Sequence, residues 1–484
     1  MQLDFSIVDD IAEQFHDRRR APGLQIAVLA DGEVAHFTGH GVTDCTTHAA
    51  PAADRFFRIA SMSKSFTAAA ILQLRDRRLL CLDNPVTDYL PWAAGLAGPT
   101  TDSPKITVRQ CLTMSSGLPS DDPWADRQEE MTQSHFDGLL RNPISGAYAP
   151  GTAFAYSNLG YAILGRIVEA IAGRPFVDHV ARELLLPLGL TDTTYDYRSV
   201  PSGRLTQGYR PTPNGQWELQ KFTAPGSFSA IGGLLSTVAD IGKWVAWLAD
   251  AFPPRDGDDD RVLSRASRRE MQQSHRLLPF DIMEEPGERN RLLSTGFPWG
   301  LSGYGYGLFV EADPDFGAVS QHPGGYPGFG SYMGWHQGSG LGVVAFANGT
   351  YAPVAAPARA VLDALLRQCQ AGPEVRPAEH LRSAVDLIER VIADPSILQS
   401  PAFADNVLLD MPLDERITAI TAARQAMGEH NGQTDVELRS PTEAICRMTG
   451  ARGRLDVTLA LTPTDPPRIH TFAVDAVEPA ESKS

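Results

Sequence analysis

The sequence predicts an α/β plus all-α fold followed by a small C-terminal α+β domain. In the larger part, an antiparallel sheet is built from both chain ends and flanked by helices, with an inserted helical domain. Alternating apolar runs enclose Asp31-Gly32 near the start of the chain, which is typical of a β-hairpin. Short apolar runs separated by turn residues return between residues 304 and 347. The region of about 79–223 has mainly helical periodicity and forms the insertion.

The first part of the chain combines the hairpin with a series of helices. A helix is predicted over Phe5–Phe15, and the hairpin strands are expected at 23–30 and 33–39. The later helices are recognised by apolar residues three and four positions apart and by capping or stop residues at their ends. They are predicted at 61–74, 107–114, 158–172, 176–186 and 237–248.

The second part of the chain has strand character. Strands are predicted at 304–310, 318–322, 329–336 and 341–347, in an antiparallel meander that is followed by a helix at 353–370. The polar, irregular stretch from His275 to Pro298 precedes these strands, and it is predicted to form a mobile flap.

The length of 484 residues exceeds one typical core, so two to three domains are expected. We predict a domain over 1–370, a Pro- and Gly-containing linker at 371–377 and a separate domain over 378–484. The last domain would cover a cleft, mediate homodimer formation or stabilise the fold. Its helices are predicted at 381–393 and 413–427, its strands at 436–439, 444–449, 454–461 and 469–474, and a frayed tail at 478–484.

Composition narrows the function classes. The net charge of −16 provides no basic stripe for phosphates, which argues against a nucleic-acid partner. The sequence contains no run of about 18 apolar residues, so we expect no membrane-spanning helix. The acidic N-terminus does not resemble a secretory signal, and the five cysteines are scattered. These features favour a cytoplasmic protein with reduced thiols.

The segment Ser61-Met62-Ser63-Lys64 stands at the front of an apolar helical run. Residues three apart on a helix share a face, so Ser61 and Lys64 are expected to lie about one turn apart. A neutral lysine can take the proton of a serine hydroxyl and turn it into a nucleophile. Lysine is also rare in this chain. A lysine that only needed contact with solvent would not be expected between Met62 and Phe66 on so apolar a helix.

Two further segments supply groups that a nucleophile and base need. Tyr156-Ser157-Asn158 lies just before a helix, and a tyrosine hydroxyl held partly ionised near a lysine can relay a proton. His322-Pro323-Gly324-Gly325 closes a predicted strand, where glycines allow close approach of a substrate and a free N–H can complete an oxyanion hole. No other histidine has metal-ligand spacing, and the glycines between 303 and 307 match neither a dinucleotide-binding nor a P-loop fingerprint. We therefore expect neither a metal nor an organic cofactor.

Ser61-x-x-Lys64, Tyr156-x-Asn158 and His322-x-Gly324 together resemble the three motifs of the serine β-lactamase and penicillin-binding-protein superfamily. The likeness is strongest to class C β-lactamases and their esterase, D-aminopeptidase, amidase and acyltransferase relatives. Further similar stretches are Leu112–Leu118, Gly232–Thr237 and Gly324–Phe329. The resemblance covers roughly residues 5 to 370 and implies a β-lactamase/transpeptidase-like fold.

The resemblance also implies roles. Ser61 would be the acylated nucleophile, Lys64 its base, and Tyr156 a partner in proton transfer, and His322 is a further catalytic candidate. The backbone N–H groups of Ser61 and Gly325 would form the oxyanion hole. Asn158 would orient Lys64 or a substrate amide, and Gly324 would lie near the substrate. The implied activity is a serine hydrolase acting on a small-molecule or short-peptide ester or amide.

The chief departure from the pattern is His322, which stands where β-lactamases carry a lysine that recognises a substrate carboxylate. This substitution argues against efficient β-lactam hydrolysis but leaves acyl-serine chemistry possible. The alternatives are a transacylase that resolves the acyl-enzyme with an amine or alcohol, a β-lactamase or D,D-peptidase, and a non-catalytic peptide receptor. The intact Ser, Lys and Tyr set makes the receptor the weakest of these.

Overall fold

The computed structural model describes residues 3–17, 20–279, 301–313, 315–372 and 375–477. The chain divides into two compact units, Met1–Pro373 and Glu374–Ser484. The apolar clusters of the described residues fall within one unit or the other. We propose on this basis that residues 371–377 link two domains.

Strands and helices are numbered separately in chain order. The strands are β1 Gly23–Ala30, β2 Glu33–Gly41, β3 Phe57–Arg58, β4 Thr193–Thr194, β5 Tyr209–Pro211, β6 Trp217–Leu219, β7 Leu235–Ser236, β8 Arg276–Leu277, β9 Leu301–Tyr304, β10 Phe309–Asp313, β11 Gly317–Tyr326, β12 Phe329–His336, β13 Gly342–Ala347, β14 His430–Ser440, β15 Glu443–Gly450, β16 Arg454–Leu461 and β17 Ile469–Val477.

The α-helices are α1 Ser6–Asp17, α2 Ser63–Asp76, α3 Val86–Tyr89, α4 Val108–Leu112, α5 Asp122–Ala125, α6 Gln133–Arg141, α7 Asn158–Ala172, α8 Phe176–Val180, α9 Ser229–Gly232, α10 Val238–Ala249, α11 Arg265–Met271, α12 Ala355–Gln368, α13 Glu379–Ala393, α14 Asn406–Asp410 and α15 Leu413–Met427. Short 3₁₀ turns occupy Ala60–Met62, Tyr197–Ser199 and Pro395–Gln399, and a π-helical turn occupies Ala181–Leu185.

The main sheet joins the two ends of the first unit. In the described part of the chain its strand order is β2-β1-β13-β12-β11-β10-β9-β8, and each neighbouring pair is antiparallel. Alternate residues of β1 belong to different apolar clusters, Ile26 and Val28 to one and Ala27 and Leu29 to the other. The inner strands β1, β12 and β13 are therefore buried on both faces, which explains their nearly continuous apolar sequences, whereas the edge strand β2 is largely exposed.

Helices cover both faces of this sheet. Helices α1 and α12 pack on one side, and α10 packs on the other. The inserted helices pack around α2 and α7 and share the apolar cluster of the α10 side. Helix α7 begins at the Ser157 N-cap and ends at Gly173, whose φ of 65° is the left-handed conformation that glycine favours.

The predicted fold class is confirmed, and the differences from the sequence-based elements are local. The single strand predicted at 304–310 is interrupted after Tyr304, because Gly307 adopts a φ of 70° in a turn. The helix predicted at 176–186 ends as α-helix at Val180 and continues as a π-helical turn. Most of the flap predicted over 275–298 and the tail at 478–484 lie outside the described residues.

The second unit contains a four-stranded antiparallel sheet in the order β14-β15-β16-β17 within its described residues. Alternate residues of β15 and β16, including Cys446 and Val457, are buried with apolar side chains from α13 and α15. This unit thus has its own core. Among the described residues of both units, none lies in a helix that is long and apolar enough to span a membrane.

A buried ion pair connects distant segments of the first unit. Arg58 in β3 donates to Glu129 Oε2 at 2.6 Å, and the two side chains are 1% and 2% exposed. The hydroxyl of Tyr326, at the end of β11, donates to the same oxygen at 2.8 Å. The Arg58 guanidinium also lies 4.7 Å from the centre of the Tyr326 ring. The pair therefore connects β3, the loop after α5 and the end of β11.

We predict that Arg58→Met lowers the free energy of unfolding by about 3–5 kcal/mol, because it leaves the Glu129 carboxylate buried without its cation. Urea denaturation followed by circular dichroism measures this change. Arg198→Met is the matched control, since its partner Asp196 and Arg198 itself are both solvent-accessible. Equal denaturation midpoints for the two variants would contradict the prediction.

Candidate active site

Ser61 occupies the turn that leads into α2. It lies in the 3₁₀ turn Ala60–Met62, and α2 begins two residues later at Ser63. Ala60 adopts a φ of 48°, the left-handed region that non-glycine residues rarely enter, so the backbone is strained directly before Ser61. Lys64 lies one turn further on, as predicted from the spacing, and its Nζ is 3.0 Å from Ser61 Oγ.

Lys64 is fully buried at the start of α2. Its Nζ donates to the carbonyl oxygen of Ile231 at 2.8 Å. Burial lowers the pKa of Lys64 to about 8, although the nearby carboxylates of Asp122, Asp126 and Asp121 act in the opposite direction. A neutral amine has two N–H groups and one lone pair, so it can donate to Ile231 and accept the proton of Ser61.

Tyr156 lies over the Lys64 amine, just before α7. The centre of its ring is 5.0 Å from Lys64 Nζ, and the ring stacks on Phe309 at 6.3 Å. Burial raises the pKa of Tyr156 well above its ordinary value, the charge of Asp122 adds to this, and a hydrogen bond with Ser61 opposes it. The phenol is therefore neutral in the free site, and the expectation of a partly ionised tyrosine is wrong.

His322 lies in β11 against the same aromatic wall. Its Nδ1 is 2.6 Å from the carbonyl oxygen of Pro323, and its Nε2 is 3.1 Å from the hydroxyl of Tyr304. Burial, reinforced by the charge of Lys64, lowers the pKa of His322 to about 3. The imidazole is thus neutral, with Nδ1 donating to the carbonyl and Nε2 accepting from Tyr304. Both nitrogens are occupied by protein groups, so the catalytic role of His322 stays a prediction.

Gly324 allows β11 to approach the backbone that precedes Ser61. A Cβ at this position would lie 2.5 Å from the carbonyl oxygen of Ile59, which is too close for any side chain. Ser331 of β12 donates to the same carbonyl at 2.7 Å. The neighbouring Gly325 also lacks room, since its Cβ would lie 2.7 Å from the Tyr351 ring. The close approach of Gly324 to Ile59 holds β11 beside the nucleophile. The role of Gly325 in an oxyanion hole stays a prediction.

Asn158 is the first residue of α7 and is fully buried. Its Nδ2 donates to Asp122 Oδ1 at 2.6 Å, and its Oδ1 has no hydrogen-bond partner in the described part of the chain. Asp121 accepts from the backbone N–H groups of Asn158 at 2.7 Å and Leu159 at 2.9 Å. No hydrogen bond to Lys64 is formed in this arrangement, and a role for Asn158 in holding a substrate amide stays a prediction.

Two acidic residues near the nucleophile were not found by sequence reasoning. Asp122 begins α5, and Asp126 follows the same short helix. The Tyr351 hydroxyl donates to Asp126 Oδ2 at 2.9 Å, and burial raises the pKa of Asp126 to about 7. The available signal was the presence of three aspartates, at 121, 122 and 126, shortly after the motif-like stretch that ends at Leu118.

A cavity of about 470 Å³ brings these groups together. Ser61, Tyr156, His322, Gly324 and Gly325 line it, and Asp122 and Asp126 form part of its wall. The described residues contain no group of three His, Cys, Asp or Glu side chains that could hold a metal ion. The arrangement places a nucleophile, a buried amine, a neutral phenol and close backbone groups around one space, which is the constellation that acyl transfer requires.

Comparison with known proteins identifies relatives of the first unit. A family model described as Beta-lactamase matches residues 8–368. The D-alanyl-D-alanine-carboxypeptidase/endopeptidase AmpH of Escherichia coli K12 is 28% identical over 341 residues, which are 68% of this chain and 79% of AmpH. Penicillin-binding protein 4 of Amycolatopsis lactamdurans is 28% identical over 357 residues, which are 72% of this chain and 86% of the relative.

A solved structure resembles the whole chain. The octameric penicillin-binding protein homologue from Pyrococcus abyssi aligns with a TM-score of 0.64 and 21% identity, and the alignment covers 99% of both chains. This likeness concerns the fold, including that of the second unit. The family model matches most of the chain and includes every residue of the site described above. The chain belongs to the β-lactamase family of serine hydrolases.

Proposed function

We propose that the protein cleaves an ester or amide bond through an acyl-enzyme on Ser61, with Lys64 as the general base. The observation that supports this most directly is the 3.0 Å contact between Lys64 Nζ and Ser61 Oγ, made by an amine that is fully buried. Burial keeps part of the lysine neutral near pH 7, and only the neutral amine can accept a proton.

In the first step, Ser61 Oγ attacks the substrate carbonyl while Lys64 Nζ takes its proton. The backbone N–H groups of Ser61 and Gly325 would stabilise the negative charge that develops on the carbonyl oxygen. The protonated Lys64 then returns a proton through the neutral Tyr156 hydroxyl to the leaving amine or alcohol. The carbon–leaving-group bond breaks, and the acyl group remains on Ser61.

In the second step, water attacks the acyl-enzyme. Tyr156 and Lys64 accept the proton of the water, and Ser61 Oγ leaves with a proton from the same pair. No metal or organic cofactor takes part in this scheme. An amine or alcohol in place of water would make the protein a transacylase, and adding such acceptors to the assay distinguishes the two outcomes by their products.

A second candidate is a D-alanyl-D-alanine carboxypeptidase, because the relative AmpH carries that name. Such a substrate ends in a carboxylate next to the scissile bond. The neutral His322 and the acidic cavity wall disfavour an anion there, so we rank an esterase, amidase or D-aminopeptidase activity above it. Parallel assays with p-nitrophenyl esters, D-amino-acid amides, a D-alanyl-D-alanine peptide and nitrocefin separate these activities.

We also propose a cytoplasmic location and a homodimer. The five cysteines are free thiols, which suits a reducing compartment. The related protein from Pyrococcus abyssi is described as octameric, so self-association has a precedent in a protein of the same fold. Cell fractionation tests the location, and size-exclusion chromatography with light scattering tests the oligomeric state.

We predict that a fluorophosphonate probe labels the protein at Ser61 and that Ser61→Ala abolishes labelling, because no other serine has a buried amine at hydrogen-bond distance among the described residues. Gel fluorescence and peptide mass spectrometry measure the label and its position. Ser134→Ala, an exposed serine, is the control and should label like the unchanged protein. Undiminished labelling of Ser61→Ala would refute the proposed nucleophile.

We predict that kcat/KM rises with pH through about 8, because Lys64 acts only after losing its proton and its pKa is lowered to about 8. Below this pH the amine is charged and activity falls about tenfold for each pH unit. Steady-state rates between pH 6 and 10 measure the profile.

Removing the amine tests the same residue in a second way. Lys64→Ala should lower kcat by several powers of ten while circular dichroism stays unchanged. Lys105→Ala, which removes an exposed lysine, should retain the rate and the pH profile. Near-normal turnover in Lys64→Ala, or a flat profile in the unchanged protein, would remove Lys64 from the mechanism.

A further inference from the structure

The wall of the catalytic cavity is acidic. Asp122 and Asp126 line it together with Ser61, and no lysine or arginine is present among the described residues that line it. Lys64 lies behind Ser61 and is fully buried, and His322 is neutral. The cavity therefore presents two carboxyl groups and no cationic side chain to a substrate.

Neither carboxyl group has a cationic partner within the part of the chain that the structure describes. Asp122 accepts one hydrogen bond, from the neutral amide of Asn158. Asp126 accepts one, from the Tyr351 hydroxyl, and is 5% exposed. Asp121 differs from both, because the backbone N–H groups at the start of α7 use both of its oxygens. The oxygens of Asp122 and Asp126 can therefore accept further hydrogen bonds from a ligand in the cavity.

These carboxylates oppose the chemistry of Lys64. Their negative charge stabilises the protonated amine and raises the Lys64 pKa, whereas a general base near neutral pH needs a lower one. In the empty cavity, the two carboxylates therefore reduce the fraction of Lys64 that is neutral. A cation in the cavity would offset their charge and increase that fraction.

A second observation, independent of the two carboxylates, indicates a hydrogen-bond donor in the same cavity. Gln321 lines the cavity and is 4% exposed. Its Nε2 donates to Glu311, but its buried Oε1 has no partner among the described residues. A buried acceptor without a donor is costly, and a ligand with several N–H groups would satisfy it.

We propose that Asp122 and Asp126 form a subsite for the protonated amine of the substrate. The preferred substrates are then amides or esters of amino acids and short peptides whose amino group is free. A protonated amine donates up to three hydrogen bonds, which suits two carboxylates and a further acceptor. This inference rests on the proposed function, since it assigns a substrate class to the same Ser61 site.

The subsite also allows the ammonium group of the substrate to influence the protonation of Lys64. A cation bound to Asp122 and Asp126 offsets their share of the negative field that favours a proton on Lys64 and also repels that proton directly. Substrates with a free amine thus promote the neutral form of the base on which they depend, whereas acetylated substrates do not. The two classes should differ in kcat as well as in KM.

A competition experiment on the unchanged protein tests the subsite without any variant. Alaninamide and N-acetylalaninamide, each as the D and the L form, are added before a neutral fluorophosphonate probe at pH 7. We expect at least one form of alaninamide to slow labelling of Ser61 at a concentration about tenfold lower than its acetylated counterpart. Equal protection by both, or better protection by the acetylated amides, would overturn the proposal.

Substitution of the two carboxylates tests the assignment to residues. The measured quantity is the ratio of kcat/KM for alanine p-nitroanilide to that for its N-acetyl derivative. In Asp122→Asn and in Asp126→Asn we expect this ratio to fall about tenfold, since a charge-assisted contact is replaced by a neutral one. Asp258→Asn, which removes the same charge from an exposed loop, is the matched control and should keep the ratio.

The outcomes separate this inference from the proposed function. Labelling of Ser61 by the neutral probe without any preference for the free amine would reject the ammonium subsite and leave the acyl-serine mechanism standing. Absence of labelling would reject the mechanism itself. An unchanged ratio in both aspartate variants, with folding verified by circular dichroism, would reject the assignment to Asp122 and Asp126.

Discussion

The chemistry of this molecule depends on keeping one amine partly uncharged beside one hydroxyl. Lys64 is within 3.0 Å of Ser61 Oγ and has no exposed surface. The net pKa is lowered although three carboxylates are close enough to raise it, so desolvation is the larger effect here. The apolar burial of α2 therefore has a chemical purpose as well as a structural one, because water near Nζ would return the lysine to its charged form.

The surrounding fold holds this contact in place through close backbone packing and one buried network. Gly324 allows β11 to lie against Ile59, and Gly307 brings the turn between β9 and β10 against the carbonyl of Lys64, where a Cβ would be 2.5 Å away. Arg58, Glu129 and Tyr326 join the strand before Ser61 to the strand that contains His322. Groups far apart in the sequence are thus fixed to one another by contacts that tolerate little change in volume or charge.

Local patterns were sufficient to predict the fold class, most elements and the main catalytic candidates. The span of α7 and the turn of the first hairpin follow from caps, turn residues and apolar spacing that lie within a few residues of each element. The Ser61 and Lys64 contact was also predictable, because spacing on one helix determines it. These are short-range properties, which a single sequence records directly.

Features that depend on contacts between distant residues could not be predicted from the sequence. The ionisation of Tyr156 depends on burial by side chains such as Phe309 and Tyr304, which come from another part of the chain. In the sequence, Asp122 and Asp126 resemble residues of a solvated turn, and only the folded chain places them beside Ser61. The hydrogen bond between Asn158 and Asp122 also joins residues that are far apart in the sequence. The break after Tyr304 reflects the tertiary contact of Gly307 with α2, which no strand pattern shows.

The surroundings of His322 restrict how this active site can evolve. The imidazole is neutral, lies between Tyr304 and the carbonyl of Pro323, and is close enough to Lys64 for the amine to lower its pKa. A single change to lysine would place a second buried amine close to Lys64 and would remove the contact with Tyr304. A lysine at this position would therefore require further changes in the aromatic wall that now holds the imidazole.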